Sequence, residues 1–98
     1  MSHAKISRRA ESDLLGIGRH IAQHNEPAAK RLTRKLRDVC KSTIGQFPKI
    51  GTQRDELLPG MRCFAVGNYV IFFRGEDPVV ILRILHGAMD FDQLTFDE

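Results

Sequence analysis

Apolar side chains in the first half of the chain recur at helical spacing, whereas in the second half they alternate or run together. Ala10, Leu14, Ile17 and Ile21 step by four, three and four, which is one face of an α-helix, and Ser7 stands where its N-cap belongs. The preceding "AKIS" reads as a short strand. Gly16 and Gly18 each weaken such a helix by up to ~1 kcal/mol relative to Ala, a cost that close packing against a neighbour offsets. Asn25 then caps a second helix, with Pro27 in its first turn, where a missing N–H costs nothing. Ala29, Leu32, Leu36, Val39 or Cys40, and Thr43 or Ile44 carry the period to about Phe47, and Pro48 and Gly51 end it. So short a connection predicts an antiparallel helical hairpin.

Beyond residue 60 the period falls to two. "MRCFAV", "YVIFF" and "VVILRILH" are β-branched or aromatic runs, bounded by Gly67-Asn68 and by "GEDP". A two-residue Gly-Asn loop fits a tight hairpin that pairs Val66 with Tyr69 and Phe64 with Ile71. Three such strands form a meander, and the last, apolar almost throughout, belongs in the sheet interior. Two helices over one face give an α+β fold of order βααβββ, a helical hairpin on a small, mainly antiparallel sheet.

With 98 residues the chain is one domain, residues 1–98, and no run approaches the ~20 apolar residues that span a bilayer. The N-terminus has no apolar signal region, so the expectation is a cytoplasmic protein with no membrane partner. Cys40 and Cys63 have no CxxC spacing and read as reduced, core-filling thiols. The four histidines are too scattered for a metal site, and no metal or cofactor is expected. Residues 90–98 are either a flexible tail or an interaction segment anchored by Phe91, Leu94 and Phe96.

Charge adds an asymmetry. Residues 1–49 carry eleven Lys and Arg against four Asp and Glu, a net +7, whereas residues 50–98 carry four against eight, a net −4. A basic half favours an acidic partner, either nucleic acid or a protein segment. The cations concentrate on the second helix as a stripe of Lys30, Arg34, Arg37 and Lys41, flanked by Arg31 and Lys35. That stripe is a solvated face or a docking patch for an acidic surface. Arg62 opens a strand after the Pro59-Gly60 corner, and Arg83 interrupts "ILRIL", where a cation needs a carboxylate, carbonyls or an anionic ligand. An internal partner for Arg83 would be Glu56 or Asp90. His86 follows at the strand end, on the opposite face from Arg83 unless the strand bulges between them. Arg62, Arg83 and His86 are also suitable groups for cutting RNA, two guanidinium groups holding a phosphate and an imidazole moving a proton.

The ordered series "ISRRAESDLLGI", "AAKRLTRKL", "FPKIG", "RDELLPGMR", "GNYVIFFR" and "VVILRILHGAMD" resembles the RelE/ParE superfamily of toxins from bacterial type II toxin–antitoxin modules, over about residues 5 to 90. "PGMR", "NYVIF" and "ILRILHGA" resemble its ParE branch most. The resemblance implies the same βααβββ fold. It also implies a cognate antitoxin whose C-terminal segment wraps and neutralises the toxin, and DNA gyrase as the target, with direct nucleic-acid binding not expected outside complexes. The alternative it implies is a RelE-like, ribosome-dependent mRNA endonuclease, in which Arg62 and Arg83 match phosphate-holding arginines and His86 falls near a late acid/base residue. Against that stand the absence of a tyrosine at Gly87, Ala88 and Met89 and of a lysine cluster in "RDELLPG". Met89 also replaces the arginine of the "HxxRD" endings in ParE relatives, which keeps a third reading open, a binding module that has lost toxicity.

Overall fold

The computed structural model describes residues 4–76 and 78–88. Strand β1 (Ala4–Ile6) leads into helix α1 (Arg8–Ala22), and a three-residue turn leads on to helix α2 (Glu26–Asp38), which continues as a π-helical segment, Val39–Ile44. Four strands follow: β2 (Thr52–Gln53), β3 (Met61–Val66), β4 (Tyr69–Arg74) and β5 (Val79–His86). They form one five-stranded sheet of order β1-β5-β4-β3-β2, antiparallel except where β1 lies parallel to β5.

Both helix starts follow from their caps. The Ala10 amide donates to Ser7 Oγ at 3.1 Å and the Ala28 amide to Asn25 Oδ1 at 3.0 Å, satisfying donors that the first turn leaves without helical partners. Of the two glycines in α1, only Gly18 faces a close neighbour: a Cβ there would sit 3.3 Å from Thr33 Cγ2 of α2, while one at Gly16 meets nothing within 4 Å. The widening at the end of α2 has a geometric reason. Leu36, Cys40 and Ile44 are fully buried, and a spacing of four overshoots the 3.6-residue α period by ~40° per step. The larger π turn brings Cys40 and Ile44 back over the sheet. The spacing had predicted an unbroken α-helix here.

The β3–β4 hairpin pairs Val66 with Tyr69 and Phe64 with Ile71, as expected, and Gly67 has the positive φ, 58°, that a II′-type turn requires at its first central residue. Strand β5 lies inside the sheet between β1 and β4. The two-residue β2 has no sequence counterpart above; it forms because Gly51, at φ 85°, lets the chain pass so close that a Cβ would fall 2.1 Å from the Cys63 carbonyl oxygen. The β4–β5 ladder shifts register between Phe72 and Phe73, with Arg83 opposite Phe72 and Ile81 opposite Phe73.

Each face of the sheet has its own apolar cluster. On the helix side Ala10, Leu14, Leu36, Cys40 and Ile44 pack on Ile71, Phe73, Ile81 and Ile84. On the outer side Met61, Phe72, Leu82 and Leu85 are joined by Leu57 and Leu58 from the β2–β3 connection. Among the described residues no helix is long and apolar enough to cross a membrane.

Candidate functional site

The cations of α2 divide into two groups. Arg37 forks onto Glu11 of α1, at 2.7 and 3.1 Å, and that bond holds the Glu11 carboxyl below its ordinary range and raises the Arg37 guanidinium. Lys41 Nζ donates to the Ala4 carbonyl at 2.9 Å, fastening the helix to β1. Two members of the expected stripe therefore hold the fold together. Lys30 makes only an exposed i,i+4 contact with Glu26, at 3.5 Å. Arg31, Arg34 and Lys35 are exposed, make no ion pair among the described residues, and line a shallow depression with Asp38, Val39, Ser42 and Thr43. Lys30, Arg31, Arg34 and Lys35 are the exposed cations of α2 that make no contact with another element among the described residues.

Two grooves involve α1. One runs between the helices over Leu14, Gly18, Ala22 and Ala29, with Leu15 on its wall 59% exposed. The other lies between α1 and the sheet, lined by Asp13, Gly16, Ile17 and His20 on one side and Tyr69, Ile84 and His86 on the other. The Tyr69 and His86 rings meet edge-on with centroids 5.4 Å apart. The Ala88 amide donates to Nδ1 of the exposed His86 at 3.1 Å, a contact that leaves Nε2 to carry the proton of a neutral ring.

Arg83 is partnered from within, by Asp13 of α1 and not by the expected Glu56. Asp13 of α1 accepts Arg83 Nε at 2.8 Å, a terminal guanidinium nitrogen at 3.0 Å and the Ile84 amide at 2.9 Å. Both side chains are largely buried, 12% and 14% exposed. Glu56 instead pairs with Arg54, at 2.7 Å, and Asp90 lies outside the described residues. No spacing rule links Asp13 to Arg83, 70 positions away, and only the acidic residue on a helix turn facing β5 hinted at it.

Arg62 is likewise engaged. Its guanidinium donates to the carbonyls of Ile50 at 3.1 Å and Gly51 at 3.2 Å, and to that of Lys49, tying down the chain that leaves α2. Its register partner Phe73 belongs to the helix-side cluster, so Arg62 points to that side, and Arg83 reaches the same side through Asp13. The three candidate ribonuclease residues are not gathered around one point. Arg62 and His86 lie two strands and about four residues apart, roughly 16 Å by strand geometry. No group of three or more His, Cys, Asp or Glu that could hold a metal ion occurs among the described residues.

Residues 4–91 match the ParE toxin of type II toxin–antitoxin systems, parDE. The chain belongs to the ParE toxin family. Toxin ParE3 of Caulobacter vibrioides is 36% identical, with 76% of this chain and 91% of that protein covered. The structure of a chromosomal ParDE toxin–antitoxin system from P. aeruginosa contains a chain that superposes with a TM-score of 0.72 at 25% identity, covering 88% of this chain and 96% of that one. The RelBE2 toxin–antitoxin complex from Mycobacterium tuberculosis shares the fold, with a TM-score of 0.64 at 20% identity over 87% of this chain and 96% of that one. The α+β arrangement of two helices on a mixed five-stranded sheet is that of the ParE and RelE toxins.

Proposed function

We propose that this ParE-type toxin arrests growth by binding DNA gyrase inside the bacterial cell and stalling it on cleaved DNA, and that a cognate antitoxin neutralises it. The observation that carries the choice of target over mRNA cleavage is the engagement of both candidate phosphate-holding groups: Arg83 on the Asp13 carboxylate and Arg62 on backbone carbonyls. A guanidinium already satisfied from within holds a scissile phosphate poorly, and His86 stands far from Arg62. A toxin that works by occupying its target needs complementary surface and charge, which the helical hairpin offers.

The antitoxin reading adds a surface. Lys30, Arg31, Arg34 and Lys35 attract an acidic segment, and the groove between α1 and the sheet, with the interhelical groove beside it, receives that segment's apolar side chains. Solved relatives of this fold occur as toxin–antitoxin complexes, which supports a protein partner of this kind.

The test is a supercoiling and cleavage assay with purified gyrase. Micromolar toxin is expected to reduce supercoiling and accumulate linear, enzyme-linked DNA, and the product of the adjacent reading frame is expected to reverse both effects. Unchanged gyrase activity at micromolar excess would overturn the target assignment. Failure of the adjacent product to bind would overturn the antitoxin assignment.

A further inference from the structure

The exposed cations of α2 share one side of the helix with an exposed aromatic ring. Arg31, Lys35, Val39, Thr43 and Phe47 stand four apart, and Arg34, Asp38, Ser42 and Gln46 form a second row beside them. One shallow depression is lined by Arg31, Arg34 and Lys35 together with Ser42 and Thr43, so both rows stay on one side through the π segment. Asp38 is the single acid lining it. Phe47 comes one turn after Thr43, its amide donating to the Thr43 carbonyl at 3.0 Å. It is 59% exposed, and among the described residues only Leu15 is another large apolar side chain left so open. Gln46, Phe47, Pro48, Lys49 and Ile50 line a mainly apolar shelf at this end. The shelf is held in place: Arg62 donates to the Lys49, Ile50 and Gly51 carbonyls, and a Cβ at Gly75 would fall 2.3 Å from the Pro48 carbonyl oxygen.

We propose that this band binds single-stranded DNA, with Arg31, Arg34 and Lys35 on successive phosphates and a base stacked on Phe47. Three features select a nucleic-acid strand over an acidic protein segment. The cations make no ion pair among the described residues, which leaves their charge for phosphate. The Ser42 and Thr43 hydroxyls and the Gln46 amide follow them with groups that donate to phosphate oxygens. The band then ends on a fixed ring, and every base offers a π-face to it whereas a carboxylate does not. From Arg31 to Phe47 the helical rise gives ~24 Å, about seven nucleotides at ~3.4 Å each. The choice of DNA over RNA rests on the gyrase reading above; strand binding itself does not. Direct binding of this kind is outside what the family resemblance implied. Because the antitoxin reading uses the same cations, strand and antitoxin compete for them.

The test is fluorescence anisotropy of the isolated toxin with a labelled oligothymidylate of about twelve nucleotides, a duplex, and a poly-aspartate peptide as the acidic control. The single strand is expected to bind tightest, with a slope of log K against log salt of about −2, from three phosphates at about −0.7 each. Arg34→Ala is expected to flatten that slope by about 0.7. Phe47→Leu keeps apolar bulk without a ring and is expected to weaken strand binding about 5- to 100-fold at unchanged slope, while Phe47→Tyr restores it. In induced cells, ultraviolet cross-linking is expected to join the toxin to DNA, a product removed by DNase and diminished in Phe47→Leu. Poly-aspartate binding as tightly as the strand, Phe47→Leu without effect, tighter binding to duplex, or a cross-linked product removed only by RNase each overturns the proposal. Strand binding by a toxin that leaves gyrase unaffected supports the site and overturns the target, whereas gyrase inhibition without strand binding overturns the site alone.

Discussion

The Asp13–Arg83 pair determines whether Arg83 serves the fold or a phosphate, and its energetic size follows from its surroundings. Both side chains are nearly buried, and the carboxylate also accepts the Ile84 amide, so Asp13→Ala removes two charge-assisted bonds and one backbone acceptor. Breaking a buried pair from one side costs about 3–5 kcal/mol, and the residual exposure argues for the lower end, about 3 kcal/mol. A domain of this size loses roughly 4–8 °C of Tm per kcal/mol, so a fall of about 12–24 °C is expected by calorimetry or circular dichroism. Arg83→Met keeps the apolar stem and removes the charge; combined with Asp13→Leu it leaves neither charge behind and is expected to recover most of the lost stability. The double-mutant cycle isolates this pair from any other contact of Arg83 and should give a coupling of about 1–3 kcal/mol. The functional half of the prediction is sharper: the stable Asp13→Leu/Arg83→Met protein retains toxicity when induced. Asp13→Ala within about 0.5 kcal/mol of the parent, or coupling within error of zero, would refute the structural reasoning. A stable but harmless double variant would refute the functional half.

Three further outcomes follow from the geometry. Gly16→Ala in α1 meets no atom within 4 Å and is expected to stabilise the protein by about 0.5–1 kcal/mol in urea denaturation, whereas Gly18→Ala, 3.3 Å from Thr33 Cγ2, should gain less or nothing. The Arg37 fork lowers the Glu11 pKa from its ordinary 4.5, so the stability it contributes is full above that value and fades as pH falls through the lowered one; Glu11→Gln should narrow the stability difference between pH 6 and pH 3. Burial pushes the Cys40 thiol up to about 12, so its modification in native protein should stay slow at pH 8 and become fast on unfolding; rapid native labelling of Cys40 would contradict the packing.

Local features of this chain were legible before its structure. The caps at Ser7 and Asn25, the helical hairpin and the Val66–Tyr69 register each depend on residues within a few positions of one another. Gly67-Asn68 fixes the hairpin because few turns admit its backbone, and "VVILRILH" announces an interior strand because it carries buried residues on both faces. What stayed hidden depends on long-range registration. Asp13 meets Arg83 only after α1 is laid over β5, and Arg62 finds its three carbonyls only after the chain turns at Gly51. Glu11 drew Arg37 out of the expected stripe, and Ala4 drew out Lys41, by the same kind of distant contact. The helix face itself was readable; which of its cations remain available to a partner was not.

The central claim is that this toxin acts by holding on to a DNA-processing enzyme rather than by cutting message. The most direct measurement is to induce it without its neighbour's product and pulse-label DNA and protein synthesis in parallel at one-minute intervals. The account predicts that thymidine incorporation falls and the DNA-damage response rises while methionine incorporation continues. A collapse of methionine incorporation first, with codon-phased breaks in mRNA that disappear in Arg62→Ala, would contradict it.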